Sequence, residues 1–225
     1  MYEWIDYART LDPNLSIAIN EYGLIDRSGM NVFNRKFPLI QEMVDTDNQR
    51  GKDDDPPRPG NIDAIGLQGH FNGAQSIPEM QFQIDILSGL GKKIKLTEAD
   101  IFIYNEETQG KFMRDIIILF YASPSFDGIT FWNWHYDANR FGEKALEMFY
   151  RSDGTMRPMA SEYMNTIYNR FWIQESVGIN DSYSNKLYYG EYEVTTTIDG
   201  VESPPQIIDV KNGGPSSFSL TIPLN

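Results

Sequence analysis

Cysteine is absent from these 225 residues, which excludes disulfides, thiolate–zinc sites and thiol nucleophiles. Histidine occurs only twice, and no convincing metal-ligand spacing surrounds either, so neither a metal nor a cofactor is expected. No apolar run is long enough to span a bilayer. The opening MYEWIDYART has neither the basic nor the apolar region of a secretory leader, so an export signal would lie upstream of it. Positive charge is scarce: 19 Lys and Arg against 32 Asp and Glu leave a formal net charge of −13. Such a balance repels phosphate backbones and anionic lipid, so nucleic acid and membrane are not expected as partners. A neutral polymer is unaffected, and the simplest reading of the acidity is solubility. A glycine-rich phosphate loop is also missing after every candidate strand, which removes the commonest use of a doubly wound sheet.

What the chain has is aromatic rings, with 13 Tyr, 13 Phe and 4 Trp. Cores use such rings most often, and sugar-binding clefts use them as flat apolar platforms. Four short apolar runs read as buried strands: Leu15–Ile19, Ile62–Leu67, Ile94–Thr97 and Gly128–Phe131. Helical spacing fills the gaps, through Phe37, Ile40, Met43 and Val44, then Phe82, Ile86, Leu87 and Leu90, then Phe112, Ile116, Leu119 and Phe120. Pro78 opens the second of these helices and Gly91 closes it as a C-cap. A further helix is predicted over Pro158–Phe171. The dense Pro and Asp of Asp45–Gly60 predict a solvated loop, and its acidic residues lack the order of a calcium-binding loop. Repeated strand–helix units define an α/β fold with parallel strands. Four units make half of a (β/α)8 barrel, the reading favoured over an open doubly wound sheet. After Trp172 the pattern alternates, with an Asp199–Gly200 hairpin turn between strands and a last run over Phe218–Ile222. The expected domains are 1–171, the half-barrel, and 172–225, a small antiparallel β appendage packed against it.

In a parallel barrel the residues at the C-terminal ends of the strands face one mouth. Those positions collect Asn20, Glu21 and Tyr22; Gln68 and His70; Glu98 and Asp100; and Trp132 and Trp134. Carboxylates, amides that hydrogen-bond sugar hydroxyls and indole platforms are the equipment of glycoside hydrolysis. Glu98 is the natural nucleophile, with His70 placed to hydrogen-bond it and Asp100 to fix the imidazole. His135 lies past Trp134, facing either cleft or surface. Ser88 and Ser123 lack a nucleophile-elbow context. Glu106 and Glu107 read as favourable charges at a helix N-terminus.

The segments carrying these residues resemble a known family. IDAIGLQGHF (62–71) resembles the strand-six signature of family 10 xylanases, and GKKIKLTEADI (91–101) their strand-seven nucleophile signature. ARTLDPNLSIAINEYGLID (8–26) is similar to their strand-five region, and GITFWNWHYDANRF (128–141) to their strand-eight tryptophan segment. YYGEYEVTTTIDG (188–200) resembles the β appendage that follows many family barrels. The resemblance implies strands five to eight of a TIM barrel and a retaining endo-β-1,4-xylanase. Glu98 would be its nucleophile, His70 and Asp100 the supporting network, Asn20 and Gln68 sugar ligands, and Trp132 a platform at the cleavage point. It also implies a polysaccharide substrate, xylan or xylooligosaccharides, and secretion. Glu21 stands where the family has Asp, Ala99 replaces a larger apolar residue, and Phe141 stands near a second family Trp.

One family feature has no counterpart. The acid/base glutamate follows strand four in a W-D-V-V-N-E-like segment, and none occurs here. Asn20–Glu21 imitates the dipeptide, but its flanks match the next strand. Two rivals to the xylanase reading are a non-catalytic carbohydrate-binding remnant and a β-1,4-glucanase of the same fold. Half a barrel would also expose a sheet edge on each side, so self-association through those edges is expected.

Overall fold

A computed structural model describes residues 1–25, 29–133, 149–178, 184–211, 213–215 and 217–219. The chain divides into two compact units, Met1–Thr166 and Ile167–Asn225. In the first, helix α1 (Tyr2–Leu11) precedes β1 (Ala18–Tyr22), α2 (Gly29–Asp53), β2 (Ala64–Phe71), α3 (Ile77–Ser88), β3 (Lys93–Ile101), α4 (Glu106–Tyr121) and β4 (Phe126–Phe131). Helix α5 (Pro158–Met164) continues directly into a π-helical segment, Asn165–Phe171. The division into units falls inside that segment. Trp134, His135 and Phe141 lie outside the described residues.

All four strands are parallel and follow chain order, β1-β2-β3-β4. A doubly wound sheet reverses its strand order, so the unreversed order identifies a partial (β/α)8 barrel instead. Alternation along each strand divides the side chains between two faces. Ile65, Leu67, Phe71, Ile94, Leu96, Ala99 and Ile101 are buried and form the helix-side layer, where Phe71 meets Phe112 of α4 edge to face at 5.5 Å. The polar residues of β2 and β3 alternate with them on the other face.

The strands extend beyond the predicted runs. Asn20, Gln68, His70, Glu98 and Asp100 lie within their strands, and only Trp132 follows its strand end. The ladder continues under these residues because backbone pairing persists to Phe102, whose N–H donates to the Phe71 carbonyl at 2.7 Å. At the other end, β1 begins at Ala18, leaving Leu15 outside it and exposed.

Two helix readings are corrected. Helix α3 buries Met80, Gln83, Ile84 and Leu87 and leaves Phe82 exposed. Its N-cap is Ser76, which accepts from the Glu79 N–H, and its C-cap is Gly89; Gly91 lies in the following turn, at φ +68°. Helix α2 runs to Asp53, so most of the segment expected to be a loop is helical. Its polar composition belongs to a solvated helix face, while Val44, Asp47 and Gly51 face inward. Asp47 accepts the Ile62 N–H at 2.8 Å, and the Arg58 N–H folds back onto the Gly51 carbonyl at 2.8 Å. Helix α4 buries Phe112, Ile116, Leu119 and Phe120 as the spacing predicts. Its cap is Asn105, accepting the Thr108 N–H at 2.8 Å. Glu106 contributes more than first-turn charge, forming ion pairs with both Arg151 and Arg157.

In the second unit, β5 (Gly190–Val194) pairs antiparallel with β8 (Gln206–Val210), and β6 (Thr197–Ile198) with β7 (Val201–Glu202). Asp199 and Gly200 take φ +49° and +82° in the tight turn between β6 and β7, the left-handed pair that hairpin twist requires. Of Phe218–Ile222, residues 220–222 lie outside the described residues.

Candidate active site

The site begins with an irregularity in β3. Leu67 pairs with Leu96, but the next residue, Gln68, pairs with Glu98, so Thr97 is an extra residue in the ladder. A bulge of this kind re-aims side chains. Here it turns both Thr97 and Glu98 onto the polar face, while Leu96 and Ala99 remain buried on the helix side. Without it, Glu98 and Asp100 could not share a face with Thr97.

Glu98 is engaged through both oxygens. Its Oε1 accepts from Asn20 Nδ2 at 3.2 Å, and its Oε2 lies 3.1 Å from His70 Nε2. The other ring nitrogen, His70 Nδ1, lies 3.0 Å from Asp100 Oδ2. Asp100 is buried. An ionised carboxylate only accepts hydrogen bonds, so an imidazole facing one on each side is best satisfied when both nitrogens carry protons. Partial burial pulls the His70 pKa down, but the hydrogen bonds and charges of Asp100 and then Glu98 outweigh it, and the ring stays above its ordinary 6.5. The result is an Asp100–His70–Glu98 chain, with the imidazole fixed at both ends.

Trp132, about half exposed, holds its ring perpendicular to that of His70 at a centroid distance of 5.9 Å. The Trp132 backbone N–H donates to the Ala99 carbonyl at 3.0 Å. Gln68 stands half-buried at the register of Glu98. All six residues singled out in the sequence therefore lie on strands β1 to β3 or directly after β4. Direct contacts join Asn20, Glu98, His70, Asp100 and Trp132.

Glu21 does not join them. It follows Asn20 by one residue, so it faces the helices, where its Oε1 is 2.5 Å from Lys36 Nζ of α2 and accepts its neighbour's N–H at 2.9 Å. Strand parity removes it from the mouth. Lys36 also lies 3.0 Å from the centre of the Tyr22 ring, a cation–π contact that the sequence did not announce. Thr97 and Gly66 belong to the site as well: Thr97 Oγ1 donates to Asn20 Oδ1 at 2.5 Å, and Gly66 lies beside Asn20 in register. A glycine within an apolar strand run was the one readable signal for such a close approach.

Two carboxylates, an imidazole, an amide and an indole brought together on a parallel half-barrel are the kind of equipment that barrel glycosidases use on sugars. The match to known proteins is consistent with that class. Residues 2–166 match the model of "Glycosyl hydrolase family 10", and the chain belongs to that family. It is 25% identical over 191 residues to endo-1,4-beta-xylanase 3 of Arabidopsis thaliana, covering 83% of this chain and 23% of that protein. It is also 25% identical over 203 residues to endo-1,4-beta-xylanase A of Thermoanaerobacterium saccharolyticum, covering 86% and 15%. Its fold resembles that of xylanase 10B from Thermotoga petrophila RKU-1 in complex with xylobiose, with a TM-score of 0.57 at 16% identity, covering 75% of this chain and 51% of that one. The chain thus spans about a quarter or less of these curated relatives and about half of the solved structure.

Proposed function

We propose that this chain supplies the nucleophile side of a retaining hydrolysis of internal β-1,4-xylosidic bonds in xylan. The observation that carries the reading is the two-sided hold on Glu98, between Asn20 Nδ2 and His70 Nε2. A carboxylate oxygen that accepts one hydrogen bond keeps a second lone pair with which to attack an anomeric carbon. In the first step the Glu98–carbon bond forms as the glycosidic carbon–oxygen bond breaks, and the leaving oxygen takes a proton from a general acid. In the second, water deprotonated by the same group attacks that carbon and releases Glu98. Family membership supports this chemistry. Asn20 and Gln68 would bind sugar hydroxyls and Trp132 would carry the flat face of the ring.

The general acid is a glutamate outside these 225 residues, because no segment resembles the family's acid/base region and Glu21 is paired with Lys36. Protonating the leaving group is worth about 10²–10⁴-fold in rate. That gap favours one alternative, a carbohydrate-binding chain without turnover. A β-1,4-glucanase is the other, since the two polymers differ by one hydroxymethyl group per sugar. The proposed setting is extracellular, where xylan occurs.

The test is a 2,4-dinitrophenyl 2-deoxy-2-fluoro-β-xylobioside, whose leaving group departs without a proton. We expect the full chain to gain one covalent sugar, mapped to Glu98, and Glu98→Gln to gain none. A label on another residue would overturn the reading. Xylooligosaccharide binding without any label would replace it with the binding alternative, and faster labelling by the matching cellobioside would favour the glucanase.

A further inference from the structure

Asn20 and Glu98 do not sit on neighbouring strands. The order β1-β2-β3 puts β2 between them, and adjacent strands lie about 4.8 Å apart. The amide of Asn20 must therefore reach across β2 to touch Glu98. It crosses over Gly66, its register partner on β2. A β-carbon built on Gly66 would stand 2.9 Å from Asn20 Oδ1, 2.9 Å from Thr97 Cγ2 and 3.3 Å from Asn20 Cα. Only a residue without a side chain leaves that passage open. Gly66 is not among the glycines with positive φ, so its role here is space and not backbone freedom.

On the far side of the crossing, Thr97 receives the amide. Its hydroxyl has one proton and two acceptors in reach, Asn20 Oδ1 at 2.5 Å and the Leu67 carbonyl at 3.2 Å. The shorter contact commits the proton to Asn20. With Oδ1 held by Thr97, the NH2 end is left pointing at Glu98 Oε1. A flipped amide would set its oxygen against a carboxylate, acceptor against acceptor. The bulge at Thr97 is what presents both the hydroxyl and the carboxylate to the same amide.

We propose that Gly66 and Thr97 are positioning residues for the nucleophile: Gly66 opens the passage by which the Asn20 amide crosses β2, and Thr97 fixes that amide with its NH2 toward Glu98. Both act on Glu98 through the Asn20 amide. The inference rests on Glu98 being the nucleophile, and it adds a second line of support beside the His70–Asp100 arm.

The rate of labelling by the fluorinated xylobioside tests it on the full chain, with Thr97→Val, Thr97→Ser and Gly66→Ala beside the unaltered protein. Thr97→Val keeps the shape and deletes the hydroxyl, and Thr97→Ser keeps the hydroxyl and deletes the methyl. We expect Thr97→Val and Gly66→Ala to slow labelling about tenfold to a hundredfold, the scale of a modest misplacement of reacting groups. Thr97→Ser should stay within about threefold of the unaltered protein, since the hydroxyl-mediated contact survives. The Asn20 side-chain NH2 resonances provide a readout independent of turnover, with the two protons losing their exchange protection in Thr97→Val and Gly66→Ala alone. Labelling at the unaltered rate in both of those variants would overturn the proposal, as would Thr97→Ser slowing as much as Thr97→Val. If the unaltered protein takes no label, the nucleophile assignment fails instead. The amide resonances then decide the positioning claim, which unchanged spectra in the two variants would overturn.

Discussion

His70 is where charge, orientation and pH meet. Its ring lies between Asp100 and Glu98 at 3.0 and 3.1 Å, and those carboxylates hold its pKa above 6.5 against the opposing pull of partial burial. A histidine whose folded pKa exceeds its unfolded one lends stability that is fully present below the unfolded value and is lost as pH rises through the folded value. The difference in unfolding free energy between the unaltered protein and His70→Asn should therefore be largest in mild acid and shrink above pH 6.5. Urea melts across that range would check it, and a difference that grows with pH would contradict the imidazolium. Trp132 makes a separate prediction. The indole is about half exposed and perpendicular to the His70 ring; if its open surface carries a sugar as proposed, Trp132→Ala should weaken xylooligosaccharide binding about three- to tenfold, in line with a stacking contact. Calorimetric titration would measure it.

Helices and strands show where the sequence was informative and where it was silent. Glu98, His70 and Asp100 were legible because apolar runs ended in polar residues, and that pattern survives even though the strands extend further than the runs. The bulge at Thr97 was not legible, since register depends on the partner strand and leaves no mark in the run IKLTEADI. Glu21 was misplaced for a related reason: proximity to a strand end says nothing about which face a residue takes. In α2, polar density obscured a helix. Beyond Val44 its inward residues are Asp47 and Gly51, neither with an apolar side chain, so hydrophobic periodicity fades where the helix continues. Gly51 is held against the returning chain, and a β-carbon there would lie 2.5 Å from the Arg58 carbonyl oxygen. Gly51→Ala should destabilise the fold by about 1–3 kcal/mol, the range of an overpacked core. Asp47→Ala should cost about 1–3 kcal/mol by stranding the buried Ile62 N–H. Chemical denaturation would measure both, and a neutral Gly51→Ala would show that the return segment yields easily.

At the scale of the whole molecule, the four-stranded sheet has two ends. Among the described residues, β1 and β4 each pair with one neighbour only, and unpaired parallel edges are templates for further strands. On α1, beside the β1 end in chain order, Trp4, Tyr7 and Leu11 are exposed at spacings that keep them near one helix face. We expect the chain by itself to self-associate at micromolar concentration despite its net charge of −13. Sedimentation velocity would show this, and a single monomer boundary with cooperative melting would contradict it.

The passage over Gly66 ties the chemistry to the alignment of the sheet. If β1 slid one place along β2, Asn20 would turn toward the helices and Glu21 would swing over the glycine in its stead, bringing a second negative charge up to Glu98. A misaligned sheet would thus unsettle the Glu98 carboxylate two strands away. Competence toward the sugar and fidelity of strand alignment become one property, and a mispaired chain would announce itself by its chemical silence.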